Sequence, residues 1–207
     1  MLDLETRRLF AAASIALRYP ERDWLRSFED IERDLDQFGA ETKEVLWNLI
    51  TYFGSKSLMD LQVDYVGTFD RKRRACLYLS YYLNGDTRKR GMALLNFKQT
   101  YAAEGWVSVS EELDDYLPIL LEFIAVTASP IGLDLLVQHK AGLTLLSYAL
   151  RDLNSPYLAL IDEVNKRIPG EATTQTLKLI ETGPPSEQVG LAGYGEKEAS
   201  QVQKVGA

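Results

Sequence analysis

Between Leu77 and Tyr101 the segment LYLSYYLNGDTRKRGMALLNFKQTY joins two apolar helical patterns through a short basic turn. A chain that carries it is constrained to a helical hairpin and, with it, to a fold of packed helices. Leu77, Tyr78, Leu79, Tyr81, Tyr82 and Leu83 follow one another almost without a polar break, so the first arm is expected to be surrounded by other helices. Asn84 and Gly85 stop it, because glycine tolerates the left-handed conformation that closes a helix. Asp86 is then placed to accept from the free amides that open the second arm. Leu94, Phe97, Lys98 and Tyr101 share one face of that arm.

Helix stability does not account for its first turn. Arg88, Lys89 and Arg90 stand where the dipole already presents partial positive charge, and each extra cation there is unfavourable by roughly 0.3–1 kcal/mol. Arg71, Lys72, Arg73 and Arg74 lie just upstream, so a local positive patch is implied on a chain whose net charge is -7. Two readings stand. Acidic residues of neighbouring helices pair with the patch, giving Asp86, Arg88, Arg90 and Lys98 a structural or docking role. Alternatively an anion meets it, and a regulatory protein holding phosphate or nucleotide at residues 86–91 would be of that kind, since a helix N-terminus attracts phosphate.

The chain's 207 residues, 46% hydrophobic and 26% charged, suffice for one substantial core and do not suggest two domains of ordinary size. A pI near 4.9 argues against general nucleic-acid binding, which shows as a basic excess over a whole domain. The single cysteine, Cys76, excludes an intramolecular disulfide and cannot alone build a structural metal site, which fits a cytoplasmic protein. The N-terminal MLDLETRRLFAAASIALRYP reads as a first helix rather than a secretory signal, and no apolar run reaches the ~18 residues of a membrane span.

Helical periodicity continues on both sides of the hairpin. Leu9, Ala13, Ala16 and Leu17 mark a helix ending at Tyr19, before Pro20, and Trp24, Leu25, Phe28, Ile31, Leu35 and Phe38 mark a second, acidic on its other face and closed by Gly39. Thr42 and Ser57 are candidate caps of the next two. Trp106 to Ser110 alone alternates, and five residues without a second strand cannot build a sheet, so it reads as a connector, with Ser108 and Glu111 at capping-box spacing. Pro118 suits the first turn of the helix ILLEFIAVTA, and Ser129-Pro130 and Ser155-Pro156 read as N-cap serines followed by proline at the first helical position. Thr176 to Ile180 is expected to add at most one turn, and the Gly- and Pro-rich residues from Glu181 cannot offset their ordering entropy. The expectation is an all-α single-domain bundle of about eight to ten helices over residues 1–170, with a mostly disordered tail over 171–207.

Catalytic chemistry is not evident. His139, the one histidine, has no cysteine near it and lies among Leu135, Leu136 and Leu143, so it reads as a satisfied histidine rather than a ligand or base. There is neither a nucleophile elbow nor a phosphate loop. What remains is an acidic, aromatic corner of Glu111, Glu112, Asp114, Asp115 and Glu122 around Tyr116, Leu117 and Pro118. It fits either an ordinary helix start whose acids favour the dipole, or a site that buries a peptide's apolar anchors and meets its cations with carboxylates.

YLSYYLNGDTRKRGMALLNFKQTY followed by EELDDYLPILLEF resembles the respiratory nitrate reductase delta-subunit family, the NarJ-type assembly chaperones within the redox-enzyme maturation chaperones. The shared pattern is an apolar-aromatic helix, GDTRxRG, an apolar helix with FK, and ELPDYLPxxLEF, with Asp114 standing where the pattern has proline. The resemblance implies a cytosolic, system-specific chaperone without a cofactor of its own. It would bind the apo catalytic (alpha) subunit of a nitrate reductase through that subunit's N-terminal segment until molybdenum cofactor is inserted and the complex docks at its membrane anchor. The chaperone would form no part of the final enzyme, would not insert into the membrane, and is compatible with a weak homodimer. The resemblance places client recognition on Glu112, Asp115 and Tyr116, and with Pro118 and Glu122 of the same corner these are the candidate client-binding residues.

Overall fold

In a computed structural model, which describes residues 2–170 and Thr182, the hairpin is one part of a bundle of ten α-helices. The helices are α1 (Leu4–Ala16), α2 (Ser27–Arg33), α3 (Ala40–Gly54), α4 (Leu58–Tyr65), α5 (Leu79–Asn84), α6 (Arg88–Ala103), α7 (Leu117–Thr127), α8 (Pro130–Gln138), α9 (Lys140–Asp152) and α10 (Leu158–Arg167). No strand is formed among the described residues. The tail and the turn expected at Thr176 to Ile180 lie outside them.

The central element is α7. Leu117, Ile119, Leu120, Leu121, Phe123, Ile124 and Ala125 are all buried, so the helix is apolar nearly all round, as a helix enclosed by others must be. It lies along α1, whose Ala12, Ala13 and Ala16 are small enough to let the two backbones approach closely. Helices α9 and α10 pack on each other, α10 also meets α3 and α1, and α5 sits between α6 and α9. A run of rings, Trp24, Phe28, Phe53, Tyr157, Phe69 and Tyr65, links successive centroids at 4.7–5.7 Å through the middle of the bundle.

Several local expectations are revised. Helix α1 stops at Ala16, where Leu17 caps it, rather than at Tyr19. The expected second helix is cut into 3-10 turns at Trp24–Arg26 and Leu35–Gln37 flanking α2, because Trp24 turns inward to donate to the Ile15 carbonyl at 2.8 Å. Gly39 does not close that helix but opens α3, and Thr42 lies inside α3, donating to the buried Glu163 at 2.9 Å. Ser57 and Ser129 are N-caps as expected, accepting from Asp60 and Gly132. Ser155 is not, since Tyr157 caps α10 and Ser155 instead accepts from the Tyr157 amide. The helical apolar positions that follow Ser129-Pro130, from Leu133 to Leu150, fall on two helices, α8 and α9, separated at His139. No helix follows the Ser108/Glu111 pair until Leu117, and Ser108 accepts from Ser110 instead.

Candidate functional site

The acidic corner is built by a long-range pairing that spacing along the chain does not reveal. Residues before α5 and before α7 meet in one antiparallel bridge, Tyr78 with Tyr116, in which the Leu79 amide donates to the Asp115 carbonyl at 3.0 Å and the Leu117 amide to the Leu77 carbonyl at 2.8 Å. The pairing starts both helices from one place. It also delays α5 until Leu79, leaving Tyr78 extended.

Asp115 is carried inward by this bridge and is fully buried. Its Oδ2 accepts from the Ser80 amide at 3.1 Å and the Ser80 hydroxyl at 2.5 Å, so a residue 35 positions away does the work of an N-cap for α5. Arg90 of α6 closes the group. Its guanidinium lies 3.7 Å from Asp115 Oδ2 and 3.6 Å from Asp86, and stands over the Tyr78 and Tyr81 rings at 5.7 and 5.8 Å. The two hairpin arms are thereby locked to the start of α7, and Gly85, at φ 56°, provides the left-handed turn between them. Asp86 differs from expectation: Thr87 is the N-cap of α6, without a side-chain bond, and exposed Asp86 serves as Arg90's partner instead.

Tyr116 is equally committed. Its hydroxyl donates to the Leu17 carbonyl at 3.0 Å and lies 2.7 Å from the Tyr65 hydroxyl, itself 3.1 Å from the same carbonyl. Two phenols thus satisfy a carbonyl left open at the C-terminus of α1. Burial pushes both phenols far above their ordinary range, so both remain neutral donors. Pro118 is buried in the first turn of α7. Glu112 is exposed and accepts from the Tyr78 hydroxyl at 2.5 Å, while Glu122 pairs with Arg18 of α1 at 2.7 Å. The corner therefore separates into an inner frame, Asp115, Tyr116 and Pro118, and an outer rim, Glu112 and Glu122.

A cavity of about 120 Å³ opens beside that rim, lined by Tyr19, Tyr65, Phe69, Asp70, Leu77, Tyr78, Glu112 and Tyr116. Asp70 ends a π-helical turn, Val66–Asp70, that continues α4 and is closed by an Arg71 amide to Val66 carbonyl bond at 3.0 Å. Such wide turns are frequent at functional sites. Tyr19 and Asp70 carry no motif in the sequence. Tyr19 is marked there only as the residue before a proline, and nothing marks Asp70.

The basic patch divides. Arg90 points into the Asp115 frame, which agrees with pairing by neighbouring acids, whereas Arg71 to Arg74 and Lys98 are exposed and form no ion pair among the described residues. Arg73–Ala75 forms a short 3-10 turn. His139 is buried, bonded through Nδ1 to the Leu135 carbonyl at 2.9 Å and packed on Phe97. Burial raises the Cys76 thiol, as its apolar neighbours suggest. Among the described residues no three His, Cys, Asp or Glu side chains gather as for a metal, and no helix is long and apolar enough to cross a membrane.

The family described as nitrate reductase delta subunit matches residues 35–162, a span holding the hairpin, the acidic corner and most of the cavity. A probable nitrate reductase molybdenum cofactor assembly chaperone NarJ of Bacillus subtilis is 30% identical over 153 residues, 73% of this chain and 83% of that protein. The nitrate reductase molybdenum cofactor assembly chaperone NarJ of Escherichia coli is 30% identical over 144 residues, 63% of this chain and 61% of the relative. A crystal structure of a putative redox enzyme maturation protein from Archaeoglobus fulgidus is similar in fold, with a TM-score of 0.57 at 20% identity, over 77% of this chain and 91% of that one.

Proposed function

The chain belongs to the nitrate reductase delta subunit family, and on that premise we propose that it is an assembly chaperone for a nitrate reductase, a binding protein rather than a catalyst. It holds the apo catalytic subunit through that subunit's N-terminal segment while molybdenum cofactor is inserted, and leaves before the enzyme is complete. The observation that carries this reading is the aromatic cavity beside the acidic rim. Tyrosine and phenylalanine rings bury large apolar area at little entropic cost, and carboxylates at the edge steer a basic segment into register. A short amphipathic helix laid against Tyr19, Tyr78 and Glu112 would bury its apolar face on the rings and turn its cations to the rim.

Asp115 and Tyr116 act in this reading by holding the rim in place, since Asp115 Oδ2 and the Tyr116 hydroxyl are already engaged inside the protein, while Asp115 Oδ1 is buried without a hydrogen-bond partner among the described residues. A synthetic peptide of the catalytic subunit's first 20 or so residues, titrated by calorimetry, is expected to bind at micromolar concentration, and the full subunit to co-purify with the chaperone before cofactor insertion. Absence of both would overturn the reading. Retention of the chaperone in the finished, membrane-bound enzyme would overturn its transient role.

A further inference from the structure

We infer that the cavity between α4 and the acidic corner is a subsite for one guanidinium group, an arginine side chain of the bound client segment. The inference rests on the client-binding reading and adds what the cavity itself selects. Its walls are five aromatic rings and Leu77. Tyr19 stands edge-on to Tyr65, with centroids 5.4 Å apart and planes at 89°, Phe69 follows Tyr65 at 4.9 Å, and Tyr78 and Tyr116 lie 5.5 Å apart on the other side. Two carboxylates, Asp70 and Glu112, share the same space, and no Lys, Arg or His is among the lining residues. Of the cations nearby, Arg18 is held by Glu122 at 2.7 Å, and Arg90, whose guanidinium stands over the Tyr78 ring at 5.7 Å, is held by Asp115 and Asp86.

The Asp70 carboxylate has neither a hydrogen bond nor an ion pair among the described residues. Asp70 is itself exposed, and the partial cover of its carboxyl at the cavity edge, and then the charge of Glu112, push it above the ordinary range. Two acids with no cation between them repel an anionic occupant, and a neutral apolar one would desolvate Asp70 without giving it a partner. A cation relieves both. Among cations, guanidinium is planar and weakly hydrated, stacks on aromatic faces, and donates through a fork to carboxylates, whereas ammonium is a compact, strongly hydrated point charge. The cavity far exceeds the ~10–15 Å³ that admits one water, so a side-chain head group enters without unfolding the corner.

The test uses the full chain and three small probes: Nα-acetyl-arginine amide, its lysine counterpart, and its neutral isostere Nα-acetyl-citrulline amide. Titration followed by NMR at low salt is expected to move the ring signals of Tyr19, Tyr78 and Tyr116 with the arginine probe, several-fold less with lysine, and hardly with citrulline. Asp70→Asn is expected to weaken arginine binding tenfold or more while the protein stays folded, since that carboxylate supports nothing else in the structure. Glu112→Gln should add to the loss. Equal response to arginine and citrulline, or an unaltered affinity in Asp70→Asn, would overturn the subsite. The client reading fails separately. A client peptide that binds the parent and Asp70→Asn alike leaves the chaperone reading standing without this subsite, whereas an arginine probe that saturates the cavity while no client peptide binds removes the client and keeps the subsite.

Discussion

Asp115 shows how one side chain decides what a corner can do. Five acids stand between Glu111 and Glu122, yet only Asp115 is fully buried, because the Tyr78–Tyr116 bridge turns it toward Ser80 and Arg90. Removing it leaves the Ser80 amide without its acceptor and Arg90 facing an empty, buried position. Asp115→Ala is therefore expected to lower the unfolding free energy by about 2–4 kcal/mol, combining loss of a cap with a broken, largely buried ion pair. A urea titration reads this as a lower midpoint at unchanged slope. Tyr116→Phe is milder, because Tyr65 still donates to the Leu17 carbonyl, and about 1 kcal/mol is expected. If the Asp115 variant kept its midpoint, the acid would be merely a corner charge, and its place in client recognition would have to be direct. The sequence showed that acids and aromatics gather here. It could not show which acid turns inward, because the deciding contacts, with Ser80 and Arg90, join residues 25 or more positions apart.

At the scale of elements, the helical content and the hairpin were legible because burial follows a 3.6-residue period in α3, α4 and α10, and because serine followed by proline marks α8 plainly. What escaped were the breaks. His139 interrupts a run that reads as one helix, and Trp24 cuts α2 short by turning back onto α1, so tertiary contacts overrode local pattern in both. Two glycines inside helices are close contacts between elements. A Cβ on Gly142 of α9 would fall 2.8 Å from the Tyr82 ring of α5, and one on Gly132 of α8 2.6 Å from the Phe123 ring of α7. Either Gly→Ala change gains helix propensity yet overpacks the seam, with a net cost of about 1–3 kcal/mol. In a domain of this size that is a fall of roughly 2–12 °C in melting temperature. Calorimetric scans that found either variant more stable than the parent would mean that the seam has room to give. Gly142→Ala should also loosen the hairpin, because Tyr82 anchors α5 by donating to the Arg74 and Cys76 carbonyls.

For the whole molecule, the balance of charge makes stability a function of pH with two opposed contributions. His139 is neutral when folded, since burial lowers its pKa from 6.5 more than the Leu135 carbonyl and Asp115 raise it. Below about pH 6.5 the unfolded chain therefore binds a proton that the folded chain refuses, and stability falls as pH falls through that range. Asp70 acts in the opposite sense. Its carboxyl titrates above 3.8 in the folded state, so over the window just above that value the folded chain holds the extra proton, and stability falls as pH rises through it. The two substitutions should then tilt the profile differently. His139→Gln, which keeps a side-chain donor for the Leu135 carbonyl, should flatten the loss between pH 6.5 and the acid limb. Asp70→Asn should leave that loss in place and remove the penalty carried at neutral pH, making the variant at least as stable as the parent. Urea unfolding at half-unit pH intervals separates them. A parent profile unchanged by His139→Gln would show that the acid loss arises elsewhere, in the Glu163 carboxylate, which is held below its ordinary range and is paired with Lys166 and Arg167. A destabilised Asp70→Asn would show that this carboxylate has a structural partner, and would weaken the case that the cavity is kept open for a cation from outside.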